Sequence, residues 1–116
     1  MSTIIEKRKK RQLETTRQIL FEQCWETLYT KSIPLINNLI LKSYKNVNYD
    51  WNLYLDVIDL NIKQICKSYN KSLTENPYIQ LNQYLIKCHK LNTSREICNE
   101  LQLLINILTT NYNKRV

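Results

Sequence analysis

A chain of 116 residues is the length of one domain, and 43% hydrophobic content is too high for general disorder. It contains no glycine and no alanine, so a P-loop, a dinucleotide-binding turn and a nucleophile elbow, each needing glycine at a fixed place, are excluded. The net charge of +7 is uneven: Lys7, Arg8, Lys9, Lys10 and Arg11 stand against Glu6 in the first eleven residues, a local excess of four that leaves three for the rest.

Lack of glycine also argues against sheet. Tight two-residue hairpins depend on Asn-Gly, Asp-Gly or Gly-X, whereas helices can end on asparagine, which is abundant here. The expected fold is all-α, an antiparallel bundle of about five helices with a long N-terminal helix. Abundant Asn, Lys, Ile and Tyr also point to AT-rich coding.

The first helix is expected over residues 3 to 30. Thr3 and Glu6 form a capping box, and Leu13, Leu20, Cys24 and Leu28 make an apolar stripe flanked by Phe21 and Trp25. Glu14, Gln18, Glu22 and Glu26 recur every fourth residue on the other face. Ser32 and Pro34 open a second, shorter helix with Leu35, Ile36, Leu39, Ile40 and Tyr44 on its buried side. Asp50 caps a third, over residues 51 to 69, with polar stripe Asn52, Asp56, Asp59, Lys63, Lys67 and Asn70. Its broad apolar face, widened by Leu53, Val57 and Leu60, marks it as central.

Asn76 and Pro77 start the fourth helix, with Tyr78, Leu81, Leu85 and Cys88 in register, and Asn92 ends it. Thr93 and Glu96 repeat the capping-box pattern before the fifth. Its main stripe is Ile97, Leu101, Leu104 and Leu108, with Leu103 and Ile107 turned another way. The expected domain plan is a basic arm over residues 1–11, a helical domain over 12–112 and a basic tail over 113–116.

Chemistry-bearing groups are sparse. Cys24, Cys66, Cys88 and Cys98 lie on apolar stripes and read as buried reduced thiols. Cys88 and Cys98 are spaced like one half of a twin CX9C protein, but Cys24 and Cys66 do not supply the second half. No CxxC occurs and His89 is the single histidine, so no metal site and no cofactor are expected. Adjacent Cys88 and His89 point about 100° apart on a helix, which disfavours a thiol–imidazole pair. Asp59 with Lys63 reads as a surface pair. No enzyme activity is expected.

The arm, Lys7, Arg8, Lys9, Lys10 and Arg11, reads as a nuclear-import signal, a phosphate-contacting arm or a solvated helix end. No helix concentrates Arg and Gln on a face that could read bases. Phe21, Trp25 and Leu28 on the first helix and Leu103 and Ile107 on the last are the expected protein-contact residues. The function expected is that of a small helical adaptor or assembly subunit, its partners other helical subunits or a second copy. The alternative is a nucleic-acid accessory protein using the arm. An intracellular location, nuclear or cytoplasmic, is expected because no secretory signal or membrane span is legible.

Overall fold

The computed structural model describes residues 2–46, 48–69 and 77–114, with side chains from residue 16 onward. Among these residues there are four helices and no strand: α1, Ser2–Ser43; α2, Trp51–Tyr69; α3, Pro77–His89; and α4, Ser94–Asn113. Each packs against two others in a closed cycle, α1 on α2, α2 on α3, α3 on α4 and α4 on α1. This is an up-down-up-down bundle. The chain is elongated, 69 × 24 × 17 Å.

The helix count differs from the sequence expectation at one place. Residues 3 to 30 and the segment opened by Ser32 and Pro34 form a single helix, with Pro34 inside it. An interior proline removes one backbone donor and costs about 3 kcal/mol. Continuity survives because the buried positions Trp25, Leu28, Ser32, Ile36, Leu39 and Ser43 keep an unbroken three-and-four spacing across it. Pro34 itself lies on the exposed side. Ser32 is not a cap but a buried contact: its Oγ donates to Asn61 Oδ1 of α2 at 3.0 Å.

The caps of α2 and α4 are where the sequence places them. The Leu53 amide donates to Asp50 Oδ1 at 3.3 Å, and the Glu96 amide to Thr93 Oγ1 at 3.2 Å. The Thr3–Glu6 box, Glu14, Leu13, Asn70 and the Asn76 cap fall outside the described side chains or residues.

One core runs through the bundle, with Leu28, Ile36, Leu55, Ile58, Leu81 and Leu101 among its most enclosed members. Polar contacts at its margin set the register of neighbouring helices. Thr27 Oγ1 lies 2.7 Å from the Tyr69 hydroxyl, and the Tyr49 hydroxyl donates to the Leu39 carbonyl at 2.9 Å. Trp51 Nε1 donates to Ser94 Oγ at 2.7 Å, tying the starts of α2 and α4 together. At the opposite end, Tyr29 stacks on Tyr112 with ring centroids 4.0 Å apart.

Several apolar residues expected inside are outside. Leu20 and Tyr44 are exposed, because Leu20 precedes Cys24, the first buried position among the described side chains, and Tyr44 lies in the turn beyond α1. Leu53, Val57 and Leu60 are exposed as well: at 100° per residue they point away from the face through Leu55, Ile58 and Ile62. The third sequence helix, α2, is therefore no more central than its neighbours.

Candidate functional site

The expected contact residues divide between core and surface. Trp25 and Leu28 are buried within the chain, on the stripe that α1 turns toward its neighbours, so they are not offered to a partner. Phe21 is half-buried and meets Trp25 edge-on at 6.2 Å. Leu103 is 48% exposed, whereas Ile107 is half-buried against the core. These two line a groove between α3 and α4 of about 350 Å³, with Tyr84 on the facing wall and Gln80, Asn106 and Lys114 around it. Sequence periodicity separates Leu103 from the main stripe. It cannot supply Tyr84, which comes from another helix.

The side chains of Lys7, Arg8, Lys9, Lys10 and Arg11 lie outside those described, although their backbone belongs to α1.

All four cysteines are free and buried. Cys88 is pushed up to about 12, first by burial and then by the nearby Glu100 carboxylate. Cys66, hydrogen-bonded to Cys24 and buried, is held far above the ordinary thiol range. Such thiols stay protonated near neutrality and are poor nucleophiles. We expect Ellman's reagent to modify them only slowly in the native protein and rapidly in denaturant. Fast native reaction at Cys88 would contradict its burial. Because folding raises the Cys88 value above the ordinary 9.0, its contribution to stability is complete below pH 9. That contribution should be lost between about pH 9 and 12, measurable as a falling melting temperature.

His89 sits at the α2–α3 junction, Nδ1 3.3 Å from Asn52 Oδ1 and Nε2 3.4 Å from Asp56 Oδ1. Asp59 is not occupied by Lys63 as expected. It accepts from the Tyr78 hydroxyl at 2.9 Å, a cross-helix contact with no signature in local spacing. Burial and that hydrogen bond raise the Tyr78 hydroxyl to about 12. Lys87 Nζ meets the buried Glu100 at 3.3 Å and joins α3 to α4. These polar groups join helices. Among the described residues no group of three or more His, Cys, Asp or Glu could hold a metal ion, and no helix is long and apolar enough to cross a membrane.

A second cavity, about 520 Å³, lies where the end of α1 meets the start of α4, lined by Ser43, Tyr44, Ser94, Arg95, Cys98 and Asn99. Ser43 Oγ is already engaged with the Ile40 carbonyl at 2.6 Å and with Cys98 Sγ at 3.7 Å. It aims no unpartnered buried group into the space.

No protein-family model, curated protein or solved structure matches this chain, so function has to be read from its own surfaces.

Proposed function

We propose that this protein is a non-enzymatic helical adaptor or assembly subunit that works through contacts made by helix faces. The observation carrying this reading is the α3–α4 groove: a large aliphatic side chain, Leu103, exposed beside Ile107 and Tyr84 in a depression rimmed by amides. An apolar centre with an aromatic wall and a polar rim is the composition of a protein-contact patch. In this reading the occupant of the groove is another helical subunit or a second copy of the chain.

Leu103→Lys is the cleaner probe, because Ile107 also packs on the core and its replacement mixes binding with stability. If a second copy fills the groove, light scattering should give a mass that rises with concentration for the native chain and stays monomeric for the variant. Far-ultraviolet dichroism should be unchanged by Leu103→Lys, since exposed positions tolerate charge. Unfolding of the variant would make Leu103 a core residue and remove the main support for an adaptor.

The alternative, a nucleic-acid accessory role, draws on the basic run over residues 7–11 and on the length of α1. Its 42 residues exceed the 19, 13 and 20 of its neighbours, and residues 16–20 are all exposed. Lys67 and Lys114 lie at the end from which that segment leaves, beside the Thr27–Tyr69 and Tyr29–Tyr112 contacts. Replacing residues 7–11 with neutral polar residues should leave thermal stability within about 0.5 kcal/mol. It should abolish polyanion binding or nuclear import, read by heparin retention and by microscopy. A much lower melting temperature would make the run a structural element.

A further inference from the structure

The outer side of α1 and α2 carries a second apolar surface. Leu41 is 63% exposed, Leu53 and Leu60 are each 55% exposed, and Val57 is 43% exposed. Pairing of Thr27 with Tyr69 and of Ser32 with Asn61 sets the antiparallel register of the two helices. By that register Leu53 is level with Leu41, Val57 with the Asn37–Asn38 turn and Leu60 with Pro34. At 100° per residue, Leu41 and Pro34 on α1, and Leu53, Val57 and Leu60 on α2, point to the same outer side of the helix pair. These residues form one surface and not scattered leucines, and contiguity gives an exposed apolar patch meaning.

Charge around this surface is predominantly basic, three lysines standing at its margins against the carboxylates of Asp50 and Asp56. Lys31 and Lys67 stand beyond Leu60, and Lys42 lies near Leu41; all are exposed, and none has a carboxylate partner among the described residues. The described acids near these helices each have a partner or share another flank. Asp56 meets His89 and Asp59 meets Tyr78, both toward α3, while Asp50 accepts the Leu53 amide. Glu22 and Glu26 share the flank of Tyr29, which faces α4 through Tyr112.

We propose that the α1–α2 face made by Leu41, Leu53, Val57 and Leu60 docks an amphipathic helix of a partner protein whose apolar ridge is flanked by acidic side chains. The outer surface of two antiparallel helices offers the shallow groove in which a helix lays its apolar stripe. Lysines at the margins then meet carboxylates, and complementary charge sets orientation and association rate. A second copy of this chain would bring two lysine-edged faces together, which like charge opposes. A bilayer would leave the amides of Asn38 and Gln64, interleaved with the leucines, without hydrogen-bond partners. This surface is separate from the α3–α4 groove, and an adaptor with two independent faces can bridge two proteins.

The test is fluorescence anisotropy with a labelled helical peptide of about three heptads, leucine at a and d and glutamate at e and g, against the same peptide with lysine at e and g. The native full-length chain should bind the acidic peptide and not the basic one. L53K/L60K should weaken binding by about 10-fold or more while keeping native helical dichroism. Leu103→Lys should not change it, which separates this surface from the other. If L53K/L60K loses its fold, Val57→Lys carries the same test. Equal binding of both peptides, binding of neither, or loss of binding only on Leu103→Lys would overturn the proposal. So would a native dimer dissolved by L53K/L60K, or vesicle binding to phosphatidylserine that depends on Leu53 and Leu60.

Discussion

Leu28→Ala should destabilise the protein by about 2 to 5 kcal/mol, whereas Leu53→Ala should change stability by no more than about 0.5 kcal/mol. Leu28 is fully enclosed in the core, and truncating it removes buried methyl groups and leaves a space that its neighbours only partly fill. Leu53 is more than half exposed, so most of its surface is in water before and after the change. Urea unfolding of the two variants measures the contrast directly, provided the denaturant slope is unchanged. Equal costs would mean that one of these leucines has been assigned the wrong side of its helix.

Pro34→Ala should be strongly stabilising. Alanine restores the donor to the Thr30 carbonyl and removes the ring clash, a gain of about 3 kcal/mol for a helix interior. Loss of the proline also frees the unfolded chain, which offsets about 0.4 to 1 kcal/mol. A net gain near 2 kcal/mol should raise the melting temperature by roughly 3 to 6 °C for each kcal/mol. Stability that stays level or falls would mean that proline serves a first turn, with a helix beginning near Ser32. The continuous α1, Ser2–Ser43, would then be wrong.

Leu28, Leu53 and Pro34 show how far the sequence could be read. Helical class followed from missing glycine and recurring caps, and Asp50 and Thr93 do cap the helices that follow them. Pro34 misled because the same residue opens a helix or sits within one. Only the continuation of the Leu28, Ile36 and Leu39 stripe across it decides between them, and that continuation is visible in local spacing.

Contact surfaces were less legible. A stripe tells which residues share a face, not which of two apolar faces meets the bundle: Leu53, Val57 and Leu60 looked like a widened core and are exposed, while Trp25 and Leu28 looked available and are enclosed. Leu103 stood apart from Leu101, Leu104 and Leu108 by periodicity, and its exposure agrees with that separation. Tyr84 beside it, and Leu41 level with Leu53, come from different helices, so no local pattern joins them.

The decisive measurement is mass spectrometry of proteins that co-purify with the tagged full chain, repeated after nuclease treatment and with Leu103→Lys, L53K/L60K and the neutralised arm in parallel. If helix faces carry the function, a defined set of proteins should survive nuclease and moderate salt and persist when residues 7–11 are neutralised. Members of that set should be lost on changing Leu103, or on changing Leu53 and Leu60. If instead the co-purifying material vanishes with nuclease, falls steeply with salt and depends on the arm alone, binding is electrostatic and directed at nucleic acid, and the adaptor assignment is contradicted.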